Sequence, residues 1–206
     1  MPIEAGETRM PNPNPPYFVH FSADPASSAP VDHSQPAPGG AAHRAGHTSI
    51  HFKGRGGLTW QPETGRPRAD GKVPFYFRSV NVYFRLTDYL IQITSNYPRN
   101  SCAYNATLRH EVDEHIVNPI RILYGFRDSL VQVLNAIRLP TQSAPQWIRP
   151  DQVDQVEADF IRQVGRVVQD FRNRVSAALR QAQAASDSAA SYGRVYRQCP
   201  VEEWNR

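Results

Sequence analysis

From residue 102 onward the apolar positions recur in steps of three and four. Leu108, Val112, His115, Pro119, Ile122, Phe126, Leu130, Val133 and Ile137 share one face of a long helix, and Ser101 stands where an N-cap is needed. The stripe ends at RLPTQSAP, where Arg138 suits a helix C-terminus and Pro140 prevents continuation. A second helix is expected from about Pro150, with Asp151, Asp154 and Glu157 complementing the positive end of its dipole. Its apolar stripe is Val153, Val156, Phe160, Val164, Val167, Phe171, Val175 and Leu179. Each helix would run for roughly 36 residues, or about 54 Å. With some ten residues between them, they are expected to pair antiparallel.

Upstream the period is two. In VPFYFRSVNVYFRL (73 to 86), Phe75, Phe77 and Ser79 alternate with Tyr76, Arg78 and Val80. DYLIQITS (88 to 95) reads as a second strand, with LTD as the turn between them. SIHFKG and GLTW add short strands, and ETGRPRADGK (63 to 72) has the Gly, Pro and Asp content of a loop. The pattern predicts an α+β fold: a small, antiparallel sheet packed on a long antiparallel two-helix hairpin.

Composition separates the start of the chain from the rest. Nine of the 18 prolines fall in the first 38 residues. Residues 1–46 are rich in Pro, Ala, Gly and Ser, too poor in apolar surface to offset ordering entropy. They predict an irregular arm, flexible or ordered against a protein partner, ahead of an α+β domain at 47–206. Tyr17, Phe18 and Phe21, in PPYFVHF, are its candidate partner-binding anchors. The net charge of +4 is spread from Arg9 to Arg206 without a stripe, which argues against nucleic acid as a partner. No apolar run is long enough to span a membrane.

The helical hairpin has a consequence for the two cysteines. After residue 187 the chain returns to the level at which the first helix began, which brings Cys199 near Cys102. A disulfide there would close a long loop and place the protein outside a reducing cytosol. The opening residues lack a charged segment followed by an apolar one, so no secretory signal is encoded. The expected location is extracytoplasmic or secreted by another route, and otherwise cytoplasmic.

The candidate chemistry lies in LRHEVDEH (108 to 115). Zinc peptidases use HExxH because histidines four apart on a helix reach one ion, while the adjacent glutamate takes a proton from the attacking water. Here the histidines are His110 and His115, five apart. On a regular helix they would diverge by about 140°. Three arrangements are open. A single π turn could return His115 to the face of His110, helped by Pro119, which has no N–H for the His115 carbonyl. Alternatively a metal pair could be His110 with Glu114, or Glu111 with His115, each four apart. Finally, His115 could be a core histidine with no ligand role. Elsewhere His43, His47 and His51 recur every four residues, but Gly46 and the β-branched Thr48 and Ile50 favour a strand over a helical metal site.

The wider segment ITSNYPRNSCAYNATLRHEVDEH resembles a family of bacterial secreted zinc peptidases with a strand, a P-x-x-S-C-x-Y turn and LxHExxH in a long helix. Pro98, Ser101, Cys102, Tyr104, Leu108, His110 and Glu111 follow in that order. The second histidine departs from the pattern by one place. The resemblance extends over roughly 73 to 200 and implies a zinc site with His110 as ligand and Glu111 as general base. His115 would be the second ligand if the helix bulges. Asp187 is the candidate third ligand, because the hairpin brings the end of the second helix to the start of the first. Tyr192 is the candidate oxyanion stabiliser. The function implied is a zinc-dependent peptidase-like domain acting on a peptide or protein, possessed by a bacterial extracytoplasmic protein such as a delivered effector. The alternative is a non-catalytic interaction protein on a degenerate peptidase scaffold.

Overall fold

The structure, a computed structural model, describes residues 17–23, 29–34, 46–53 and 58–204. The strands are β1 (Tyr17–Ala23), β2 (Val31–Asp32), β3 (Gly46–Lys53), β4 (Leu58–Thr64), β5 (Val73–Ile93) and β6 (Gln146–Ile148). The helices are α1 (Cys102–Val112), α2 (Asn118–Gly125), α3 (Arg127–Ala136), α4 (Val153–Ser186), α5 (Ala189–Tyr196) and α6 (Val201–Trp204). A π turn at Asp113–Val117 joins α1 to α2 without interruption, and only Phe126 separates α2 from α3. The chain is α+β, with a sheet packed on two long helical stretches.

All five other strands pair with β5. This single strand of 21 residues replaces the expected pair of strands, and LTD is not a turn. Two irregularities explain why the alternation misleads. Opposite β4, the register shifts between Gln61–Ser79 and Pro62–Phe77, so Arg78 is an extra residue. Such a bulge flips which residues face inward. Val80 therefore joins Phe75 and Phe77 in the core, where alternation would have put Ser79. A second shift opposite β3, between Ser49–Leu90 and His51–Thr87, falls on the residues read as a turn. There Leu86, Thr87 and Tyr89 are all buried.

The sheet is mixed, which corrects the antiparallel expectation. β3, β4 and β6 run antiparallel to β5, whereas β1 and β2 run parallel to it. β1 comes from the segment expected to be an irregular arm. Tyr17 and Phe21 are buried in this chain's own core, and Phe21 packs against Phe84 and Phe171. Their aromatic surface is thus spent internally rather than offered to a partner. Phe18, between them, is half-buried in the same strand. Residues 1–16, 24–28 and 35–45, including His43, lie outside the described residues. His47 and His51 stand in strand β3, not on a helix.

The helices cover one face of the sheet through an aromatic seam in which Phe84 meets Phe171 and Phe75 meets Phe160. α4 buries Val164, Phe171 and Val175 from the expected stripe. On the first helical stretch the stripe changes after the π turn. Ile116, Ile120, Leu123, Leu130 and Leu134 are buried, while Val133 is exposed. One extra residue in the turn rotates everything that follows it, which a constant 3.6-residue period cannot anticipate.

The chain after α4 folds back as expected. Cys102, the first residue of α1, forms a disulfide with Cys199, which follows α5. The bond closes a loop with a sequence separation of 97. Replacing both cysteines by serine is expected to lower stability by about 4–5 kcal/mol through the entropy regained by the unfolded chain. Urea midpoints with and without the substitutions measure this, and an unchanged midpoint would mean the ends are held by packing alone.

Candidate metal centre

The helix that carries the site is set by its first residue and its last turn. Ser101 caps α1, its side chain accepting from the Tyr104 N–H at 3.1 Å. At the other end the Asn118 N–H donates to the Asp113 carbonyl, five residues back. The wider turn begins where Pro119 removes a donor, and it brings the His115 ring to 5.3 Å from the His110 ring, edge to face. One ligand atom each from His110, Glu111 and His115 lies within 4.8 Å of the others. The π-turn arrangement is therefore the one adopted. Glu114 is not part of this group: its carboxylate accepts from Ser186 Oγ at 3.1 Å.

Two other parts of the fold close on the three residues. From β3, Thr48 Oγ1 donates to Glu111 Oε2 at 2.7 Å. Gly46 lies so close that a Cβ there would stand 2.7 Å from both Glu111 Oε1 and Thr107 Cγ2. From the end of α4, Asp187 Oδ1 comes to 3.5 Å from His115 Nε2. From α5, the Tyr192 ring lies 5.1 Å from the His110 ring. Asp187 and Tyr192 thus stand where the hairpin was expected to bring them, next to one histidine each.

Burial decides the electrostatics. Glu111 is 0% exposed, and burial raises its pKa from 4.5 to about 7, against a smaller lowering by the Thr48 hydrogen bond. Burial pushes both histidines down, and nearby carboxylates oppose it: Glu114 and Asp187 at His110, Asp187 first at His115. Both imidazoles are accordingly held neutral, the form that can donate a lone pair to a metal. His110 Nε2, His115 Nε2, Glu111 Oε1 and Thr107 Oγ1 are buried without a hydrogen-bond partner. Each such atom costs roughly 1–3 kcal/mol of lost hydration, and three of them belong to the residues whose ligand atoms cluster within 4.8 Å.

A divalent zinc ion fits this donor set. It takes imidazole nitrogen and carboxylate oxygen together, typically in fours, and catalytic sites supply three from the protein. His110 and His115 give two, and Glu111 or Asp187 is in place for a third. Thr48 and Gly46 had no signal in the sequence, because their contact with Glu111 spans more than 60 positions. No family model matches this chain, and no characterised protein or solved structure matches it. The assignment stands on the geometry alone.

Because folding raises the Glu111 pKa, the folded state keeps a proton that the unfolded chain releases between about 4.5 and 7. The associated stability is complete below this window and lost as pH rises through it. Glu111→Gln carries no charge at any pH and can still accept from Thr48. Without metal, it is expected to be more stable than wild type at pH 8, by on the order of 2–3 kcal/mol, and to match it near pH 4. Thermal unfolding in chelator at the two pH values tests this; equal stability at pH 8 would mean the carboxylate is hydrated. Gly46→Ala, in contrast, is expected to lower the midpoint at every pH, by about 1–3 kcal/mol for a steric clash.

Proposed function

We propose that this chain is a zinc-dependent peptidase-like domain whose metal is held by His110 and His115. The observation that carries this is the grouping of two buried imidazoles, each with an Nε2 that makes no hydrogen bond, beside a buried carboxylate of pKa about 7. A histidine with only a packing role has no need for an unpaired nitrogen facing a second one.

Zinc, when bound, supplies Lewis-acid polarisation of the scissile carbonyl and of the attacking water. The protein's own groups do the rest. Glu111, adjacent to the first histidine, takes a proton from the water and returns it to the leaving amine. A pKa near neutrality suits both transfers. Thr48 holds one carboxylate oxygen, leaving Oε1 as the one that handles the proton. Asp187, whose Oδ1 approaches His115 Nε2 at 3.5 Å, would complete the ligand set. Tyr192, whose ring packs against His110, would donate to the oxyanion of the tetrahedral intermediate. The disulfide supports a place outside the reducing cytosol. No described helix is long and apolar enough to cross a membrane.

The alternative, a non-catalytic interaction protein on a degenerate peptidase scaffold, would bind partners through the N-terminal arm and the long helices; of the arm's candidate anchors, Tyr17 and Phe21 are part of the core.

Protein purified without chelator is expected to hold about one zinc per chain, measured by elemental analysis, and His110→Ala to hold none. Glu111→Gln should retain zinc while losing peptide hydrolysis by about 10²- to 10⁴-fold. Zinc lost with Glu111→Gln would make Glu111 a ligand rather than the base. Wild type that takes up no zinc on titration would end the metallopeptidase proposal.

A further inference from the structure

Beside the histidine pair, on the side of α4, lies a cavity of about 200 Å³. His115 forms part of its wall, so the residue that would hold the metal also borders the space next to it. Thr48, the hydrogen-bond partner of Glu111, borders it as well. The cavity therefore borders the candidate site at His115 and Thr48.

Its lining is mixed, with Thr48, Glu114 and His115 beside Leu86, Pro119 and Leu179. Leu86 and Pro119 are buried, Leu179 is half-buried, and Arg180 and Gln183 are exposed. Ser176, Leu179, Arg180 and Gln183 follow a spacing of three, four and seven, one face of α4. The same face, one further turn on, leads to Asp187. One stripe of α4 thus serves both the metal centre and the cavity.

Size limits the occupant. Pockets for drug-sized ligands begin at about 300 Å³, whereas an apolar cavity of about 150 Å³ admits a benzene ring. A space between these values takes one large side chain, not a whole small molecule. Among the lining residues the half-buried Glu114 would repel an acidic side chain, and its Oε2 is already engaged by the Ser186 hydroxyl.

We propose that this cavity is the specificity subsite of the domain and receives a large apolar side chain, of the size of leucine, methionine or phenylalanine, next to the scissile bond. The proposal rests on the metallopeptidase reading of the same site. Arg180 and Gln183, at the open end, offer donors to the peptide carbonyls that flank that side chain.

The test uses the zinc-loaded full chain and a series of small hydroxamates that differ only in the substituent beside the chelating group: hydrogen, isobutyl, benzyl or carboxyethyl. Dissociation constants come from calorimetry, with zinc content measured on the same samples. The isobutyl and benzyl probes are expected to bind about 10- to 100-fold more tightly than the unsubstituted one. Leu179→Trp should erase that difference while leaving zinc content and the unsubstituted probe's affinity unchanged. Ser176→Met, which narrows the same cavity from a half-buried position, should do likewise and guards against a folding defect in the first variant. Equal affinity for all probes in a protein holding one zinc would overturn the subsite and leave the metal centre standing. Tightest binding of the carboxyethyl probe would also overturn it, moving recognition to Arg180. A protein that binds neither zinc nor any hydroxamate would remove both proposals together.

Discussion

A histidine five residues along a regular helix points away from the first, and the rest of this site depends on undoing that divergence. The five-residue turn at Asp113–Val117 does so with one rearranged hydrogen bond, from Asn118 to Asp113. It brings two imidazoles to 5.3 Å and places His115 on the side of α4 and Asp187. It also rotates the following helix, so that Ile116, Ile120 and Leu123 reach the core. Packing of those three residues is large enough to hold the irregular turn in place: each buried aliphatic side chain contributes roughly 1.5–3 kcal/mol. The turn is thus stabilised by the core it redirects, and the histidine pair follows from it.

Around that turn, the fold clamps from two directions. Strand β3 presses Gly46 and Thr48 onto Glu111 from the sheet side. The end of α4 and the start of α5 bring Asp187 and Tyr192 from the helical side. The disulfide ties the second group back to the first residue of α1, within three turns of His110. Water is excluded at the cost of leaving polar atoms unpaired, a cost that proteins accept where chemistry needs a dry, preorganised site. The result is a buried centre in which His110, Glu111 and His115 each keep one side-chain polar atom without a hydrogen bond.

Much of this was legible from local pattern. The helical spacing located both long helices, and the hairpin they form brought Cys102 to Cys199 and Asp187 to His115. Pro119 marked the place where the helix opens. What escaped the pattern was whatever depended on a single inserted residue or on distant pairing. Arg78 is an extra residue in β5, and it reversed the faces assigned to Ser79 and Val80. The register shift near Thr87 looked like a turn because polar residues and a broken alternation mark both. β1 was taken for part of an unstructured arm because its partner lies more than 60 residues away and its flanks are rich in proline. Thr48 escaped for the same reason: a lone threonine in a strand has no spacing to betray a bond to a distant carboxylate.

The central strand carries one more implication, for the order in which the protein can be made. β1 to β4 are synthesised before any part of β5, and every one of them pairs only with β5 among the described residues. These strands therefore have no sheet to join until residues 73–93 emerge. Closing these non-local pairings is a slow step, as in other folds of high contact order. It also exposes unpaired strands to neighbouring chains while they wait. The seven-residue β1 and seven-residue β4, interrupted by Pro62, are short enough to limit that hazard. Synthesis up to residue 93 is thus the point at which this chain first acquires a template on which to fold.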